Sequence, residues 1–259
     1  MVESFVSCLR DGQVAVVTLA RPAKLHALTP AMLDELEGVA RALEVDPDTR
    51  IVVLTAAGER AFCVGADINE WAELQPLDMW RHWVRRGHQV FDQWARLRQP
   101  VIAAINGHAI GGGLELAITA DIRISVEQAQ FALPEASIGT CPGWSGSQRL
   151  VNLIGAAHAK YLALTGTRVS AERALSIGLV HEIVPSAQLI GRAMDLATDM
   201  TAKSPIALQL TKQLVNAASG ENGAATLEAM ASALAANTED GAEGIRSFRE
   251  KRVPDYRGR

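Results

Sequence analysis

Apolar residues recur along this chain with two different periods. Residues 13–19, QVAVVTL, are apolar and β-branched, which predicts a buried strand. Thr29-Pro30 then opens a helix, with threonine as N-cap and proline at the first helical position. Met32, Leu33, Leu36, Val39, Ala40 and Leu43 follow at helical spacing. DPDTR ends that helix, 51–55 is the next strand, and AAGERAFCVGAD at 56–67 reads as a loop. Trp71, Trp80, Trp83 and Trp94 lie in a mostly helical stretch that Gln99-Pro100 breaks. The helical spacing of Trp71, Trp80 and Trp83 is more often that of a core or interface face than of a substrate contact. A third strand at 101–105 runs into NGHAIGGGLELA at 106–117, where a triglycine run opens a helix.

Strand 121–125 and an extended piece at 131–134 come next, then a turn-rich segment at 139–146. Helical patterns at 148–163 and 171–176 precede a last strand at 179–184. From 187 to about 251 the chain reads as helix, interrupted at Ser204-Pro205 and at 219–223. The alternation of strand and helix predicts an α/β layer fold. Near residue 190 it gives way to helix alone. The expected division is therefore a core at 1–190 and a helical region at 191–259.

Composition narrows this picture. The 259 residues are 48% hydrophobic, enough for a sizeable core. Residues 101–120 are apolar enough to resemble a membrane span, but Asn106, His108, Glu115 and the glycines interrupt them. A charge at the centre of a span costs about 2.5–3.5 kcal/mol, so no membrane segment is expected. A net charge of −4 argues against nucleic-acid binding. Cys8, Cys63 and Cys141 are odd in number and show no metal-ligand spacing, which fits a reducing cytoplasm and no metal. The N-terminal MVESFVSCLRDG has no signal-peptide pattern.

The triglycine run has neither the GxGxxG nor the GxxxxGK[ST] spacing of a nucleotide loop. Gly143-Trp144-Ser145-Gly146 misses a nucleophile elbow by one residue, because position 147 is serine. Two carboxylates stand out. Glu115 sits among apolar residues at the start of a helix, and Glu135 follows Pro134 in FALPEASIG. A single glutamate is ordinarily solvated. Apolar surroundings would instead raise the pKa of these two, as general acid–base chemistry needs.

Longer segments carry a resemblance. RPAKLHAL at 21–28, AFCVGADINE at 61–70 and INGHAIGGGLELAITADIRIS at 105–125 occur in that order. AQFALPEASIGTCPGWSGSQRL at 129–150, LTGTRVSAERALSIGLV at 164–180 and TEDGAEGIRSFREKR at 238–252 continue it. Together they resemble the crotonase, or enoyl-CoA hydratase/isomerase, superfamily over nearly the whole chain. The resemblance implies a crotonase-type spiral of ββα turns, with C-terminal helices that pack a homotrimer or a hexamer built as a dimer of trimers. It implies an acyl-CoA thioester as substrate, with CoA part of the substrate and no separate cofactor.

By motif position, the N–H groups of Ala66 and Gly112 form the implied oxyanion hole. Glu115 is implied to hold and activate water, and Glu135 to protonate C2, in reversible syn hydration of a 2-trans-enoyl-CoA. Lys24, Asp67, Ile68 and Asn69 correspond to the CoA-contacting region; Asn69 replaces a frequent lysine. Phe248 and Lys251 match C-terminal CoA contacts, against an ordinary reading as a packing phenylalanine and a solvated lysine. Trp144 stands where the family usually has a small residue. It either reshapes the acyl pocket or packs beneath the turn. His26 replaces a frequent asparagine and Val64 a frequent alanine. The alternatives are an enoyl-CoA isomerase, a specialised acyl-CoA hydratase or hydrolase, and a non-catalytic binding member. The last would normally lack a glutamate or an oxyanion glycine.

Overall fold

Successive turns of the chain deliver one strand to each of two sheets. The computed structural model describes residues 4–259. Residues 1–3 of the segment read for a signal pattern lie outside them. β1 (Val6–Asp11) and β2 (Val14–Leu19) form an antiparallel hairpin. α1 (Pro30–Val45) leads to β3 (Ile51–Ala56), which runs parallel to β2, and β4 (Ala61–Cys63) leaves for the second sheet. Short helices α2 (Ile68–Trp71) and α3 (Pro76–Asp78), a π-helical turn (Met79–Val84) and α4 (Arg85–Ala95) follow.

The pattern then repeats. β5 (Val101–Ile105) joins the first sheet, β6 (His108–Ile110) the second, and α5 (Gly112–Ala117) completes the turn. β7 (Ile122–Val126), β8 (Gln130–Ala132) and a 3₁₀ turn (Glu135–Ile138) repeat it once more. α6 (Gly146–Thr165, kinked at Gly155), β9 (Val169–Ser170), α7 (Ala171–Ser176), β10 (Glu182–Val184) and α8 (Leu189–Thr201) close this part. The strand orders are β1-β2-β3-β5-β7-β10 and β4-β6-β8-β9.

The hydrophobic pattern explains the large sheet. β3 and β5 are buried at every position, which suits parallel strands covered on both faces. α1 is capped as read: Thr29 Oγ1 accepts from Met32 N at 3.2 Å. Its Met32, Leu33, Leu36, Ala40 and Leu43 are buried, the methionine and leucines each contributing about 1.5–3 kcal/mol by the transfer scale. Trp94 reaches across from α4, its indole N–H donating to Leu36 O at 3.1 Å. Residues 101–120 divide among β5, β6 and α5. No helix among the described residues is long and apolar enough to cross a membrane.

Four strands, β1, β4, β6 and the two-residue β9, lie where no strand is expected from the pattern. β1 is exposed at all but its first position, so it lacks a buried apolar run. β4 and β6 have three residues each and sit inside stretches that read as loop and glycine junction. The strand expected at 179–184 shortens to β10, and Leu179 and Val180 are buried in the turn before it. The first compact unit extends to Gln209, past the division expected at 190, because α8 packs on β3, β5 and β7.

The second unit, Leu210–Arg259, begins within α9 (Pro205–Ala218) and holds α10 (Gly223–Ala236) and α11 (Glu239–Glu250). Its C-terminal segment folds onto α11. Arg252 donates to both oxygens of Glu243 at 2.5 and 2.9 Å, and Asp240 accepts from Arg257 N and Gly258 N at 2.6 and 2.7 Å.

Candidate active site

Residues that follow β4, β6 and β8 line one cavity of about 230 Å³. Glycines let the strand ends meet. Gly65 has φ of +94°, and a Cβ there would stand 3.0 Å from Gly112 N and from Ile110 O. A Cβ on Gly113 would overlap Cys63 O at 2.0 Å. Only a chain without side chains at these points can bring Ala66 and Gly112 to the same wall. Leu28 N donates to Gly65 O at 2.7 Å, and Leu28 O accepts from Asp67 N at 2.8 Å. Ala66 N–H, between them, is left over. Among the described residues neither Ala66 N–H nor Gly112 N–H donates to a protein acceptor, and both residues line the cavity. Unspent N–H groups of this kind are what an oxyanion requires.

Glu115 and Glu135 line the same cavity. Glu115 rises from the first turn of α5 and is buried. Its Oε1 accepts from Trp144 N at 2.9 Å and from Gly146 N at 2.8 Å. Burial pushes its pKa up, while the N–H groups of Trp144, Gly146 and Gly143 and the Arg149 charge pull it back. Glu135 begins the 3₁₀ turn after β8. Burial, opposed by its own N–H and reinforced by the charge of Glu115, raises its pKa to about 7. Its Oε2 is buried without a hydrogen-bond partner. Oε1 lies over Gly111, where an added Cβ would stand 3.0 Å away. One carboxyl is thus caged by donors and the other is not.

The loop that cages Glu115 is anchored from behind. Ser145 is left-handed, with φ of +73°, a conformation costing a side-chain-bearing residue about 1–2 kcal/mol. Its hydroxyl donates to Asp92 Oδ1 at 3.1 Å and lies 3.1 Å from the His88 ring nitrogens. Asp92 Oδ1 also accepts from the buried Arg149 at 2.8 Å. The hydroxyl is therefore spent on α4 and does not line the cavity. The near-miss nucleophile elbow has no geometric support.

Trp144 both packs and faces the cavity. It is buried, edge-on to Phe91 at 5.2 Å and tilted against Trp83 at 5.4 Å. The indole lies beneath the triglycine run, 2.8 Å from where a Gly112 Cβ would stand. Trp71, Met79, Trp83 and Val84 join it on the cavity wall. Spacing alone assigns Trp71 and Trp83 to core or interface. Met79, Trp83 and Val84 reach the cavity from the π-helical turn and Trp71 from the end of α2. Trp94 is core, and Trp80 is 56% exposed.

The CoA-region residues separate. Ile68, half exposed, lines the cavity. Asp67 is buried: it accepts from Arg21 at 2.7 Å and from Asn69 N and Nδ2 at 3.2 and 3.1 Å, capping α2. Burial opposes ionisation of Asp67, yet the hydrogen bonds from Arg21 and Asn69 and the Arg21 charge hold its pKa below the ordinary value. Its carboxylate is thus committed to the loop. Lys24 ends an exposed 3₁₀ turn (Pro22–Lys24). Phe248 is exposed and Lys251 caps α11, both in the second unit. His26 is buried, accepting from Arg21 N through Nδ1 at 3.1 Å, with Nε2 2.9 Å from Ala57 O. Burial lowers its pKa, so the neutral ring holds the Arg21 loop. Among the described residues no group of three or more His, Cys, Asp or Glu could hold a metal ion.

Sequence reasoning missed Gly143 and Gly146, whose N–H groups reach Glu115, and Gly65, which closes the wall. The PGWSG turn and the GAD tripeptide were their only local signals.

A family model described as enoyl-CoA hydratase/isomerase matches residues 10–259. The chain is 39% identical to a short-chain-enoyl-CoA hydratase of Clostridium acetobutylicum over 245 residues, 94% of each chain. It is 38% identical to a 2,3-dehydroadipyl-CoA hydratase of Escherichia coli over 256 residues, covering 96% of this chain and 97% of that one. Its fold matches the crystal structure of an enoyl-CoA hydratase from Bacillus anthracis with a TM-score of 0.82 and 37% identity, over 99% and 100% of the two chains.

Proposed function

The chain belongs to the enoyl-CoA hydratase/isomerase family, and from that premise we propose that it is an enoyl-CoA hydratase, adding water reversibly across a 2-trans-enoyl-CoA to give a 3-hydroxyacyl-CoA. The observation that carries this reading is the pair of unlike carboxyls on one cavity wall. Glu115 is caged by N–H donors, and Glu135 has a pKa of about 7 and an unpartnered oxygen. The thioester carbonyl oxygen is held by the Ala66 and Gly112 N–H groups, which stabilise the enolate as charge moves onto it. Removing one such donor in other enzymes costs roughly 3–4 kcal/mol.

Glu115, ionised within its donors, orients water and takes its proton as oxygen bonds to C3. Glu135, protonated, gives its proton to C2. The carboxyl pair receives one proton and loses one, so its proton count is unchanged, and return of the proton from Glu115 to Glu135 resets the enzyme. The two groups titrate as a coupled pair. CoA enters as part of the substrate, and the reading calls for no separate cofactor. Lys24 and Ile68 are assigned to CoA, and Asp67 and Asn69 to holding the loop that carries Ala66; Phe248 and Lys251 are assigned to the CoA of a neighbouring subunit.

The second unit supports a homotrimer or a dimer of trimers. α10 buries none of its residues, and Leu214, Leu227, Leu234, Ile245 and Phe248 are exposed. An apolar surface of that kind marks an interface. A monomer by sedimentation would remove this assignment. The cytoplasmic setting belongs to the same proposal, with three free thiols. Burial pushes the Cys63 thiol up to about 12, which keeps it unreactive.

The test is consumption of crotonyl-CoA, followed by loss of its conjugated absorbance and identification of 3-hydroxybutyryl-CoA. Double-bond migration without the hydroxy product would favour the isomerase. No reaction with any enoyl-CoA would overturn the enzymatic reading.

A further inference from the structure

Two relatives of nearly equal identity are named for unlike acyl groups, one short-chain enoyl and one 2,3-dehydroadipyl. The second acyl group ends in a free carboxylate, so the cavity must either accept a charge at that end or exclude one. We infer that this chain takes an acyl group that is apolar and uncharged at its far end, and rejects acyl thioesters that end in a carboxylate; the inference rests on the hydratase reading.

The wall beyond the two glutamates is built from Trp71, Met79, Trp83, Val84, Ile138 and Trp144. Their only polar hydrogens are indole N–H groups, and the neutral polar side chains on the rest of the lining are the Ser137 and Thr140 hydroxyls, which carry no charge to offset a carboxylate. The Trp144 N–H points elsewhere: its Nε1 lies 2.1 Å from where a Cβ on Gly87 of α4 would stand. The backbone N–H groups of Trp144 and Gly146 are spent on Glu115. Among the described residues no Lys, Arg or His lines the cavity, and the ionisable side chains that do are Glu115, Glu135 and Cys141. A terminal carboxylate would lose its water, gain no cation and face two carboxyls of its own sign. Burying an unpaired carboxylate in such surroundings is strongly unfavourable. Aromatic faces and methionine suit a hydrocarbon or aryl tail.

The experiment compares three thioesters on the full-length protein: hex-2-enoyl-CoA, 2,3-dehydroadipyl-CoA of the same carbon count, and the terminal methyl ester of the latter. The expected result is a kcat/KM for hex-2-enoyl-CoA on the order of 100-fold above that for the acid, with the ester closer to hex-2-enoyl-CoA than to the acid. A preference under about tenfold overturns the inference, because burying an unpaired carboxylate costs more than that. An ester closer to the acid also overturns it, because length and not charge would then set the preference. Hydration of none of the three removes the hydratase reading itself, and this inference with it.

Discussion

Glu115 and Glu135 share one cavity and one residue type, yet their surroundings make them different reagents. Glu115 is the more deeply buried, and burial alone would hold it neutral. It is also the one that receives N–H groups from the loop at 143–146. Charge-assisted bonds of this kind favour the carboxylate. Glu135 is less buried but receives almost no such compensation, and the charge of Glu115 adds to its upward shift. Burial raises both pKa values, and the two carboxyls differ in the supply of donors that opposes it: the N–H groups of Trp144, Gly146 and Gly143 for Glu115, and its own N–H alone for Glu135.

The largest effect should come from erasing the difference. Glu115→Gln and Glu135→Gln each remove one proton-transfer role, and turnover with crotonyl-CoA should fall about 10²–10⁴-fold in each. Binding of the thioester should persist, because the Ala66 and Gly112 N–H groups are untouched. Steady-state turnover and calorimetric binding of a saturated acyl-CoA check the two halves. A variant within about tenfold of the parent would remove that glutamate from the mechanism.

A subtler break leaves both carboxyls in place and disturbs only the donors. A Cβ at position 146 would meet Glu115 Cγ and Oε1 at 2.5 Å. Gly146→Ala must therefore push Glu115 out of its cage. Turnover should fall by roughly 10², approaching the loss in Glu115→Gln. An alanine variant with parental turnover would show that the cage is not needed.

This cage also marks how far the sequence could be read. Glu115 and Gly112 were legible because contiguous residues carry them: three glycines and a carboxylate on a predicted strand–helix junction. Glu135 was legible from its apolar flanks. The donors to Glu115 were not, since they come from 29 and 31 residues away and are main-chain groups with no side-chain signature. β4 and β6 were hidden for a related reason. Each has three residues, too short to display a period, and each is fixed by pairing with a distant strand. The commitment of Asp67 to Arg21, 46 positions earlier, needed the folded chain as well. The π-helical turn that carries Trp83 has no compositional mark. Local propensity and motif order yielded the large sheet, α1 and the named glutamates, while tertiary pairing set everything that tunes them.

The pH profile sharpens the comparison further. Hydration needs Glu135 protonated, so kcat/KM should decline as pH rises through about 7, by about tenfold per unit well above it. Dehydration of 3-hydroxybutyryl-CoA starts from the same singly protonated pair, with the proton on Glu115, and because hydration takes up no net proton its kcat/KM should decline in parallel. In the residual activity of Glu115→Gln the break should move to lower pH, because the neighbouring negative charge that favours protonated Glu135 is gone. An unmoved break would mean that burial alone sets the shift.

The smallest effect should come from the glycine beneath the other carboxyl. A Cβ at position 111 would stand 3.0 Å from Glu135 Oε1, a contact that a few tenths of an ångström relieve. Glu135 has no second donor to lose by moving, so turnover in Gly111→Ala should change less than about tenfold. The backbone is the heavier burden, since Gly111 has φ of +55°. With ψ of −129° it lies outside the left-handed helical region, so a side chain there should reduce unfolding free energy by about 1–3 kcal/mol, measured in urea at constant slope. If Gly111→Ala instead lost as much turnover as Gly146→Ala, Glu135 would be held as tightly as Glu115, and the contrast between a caged and an uncaged carboxyl would fail.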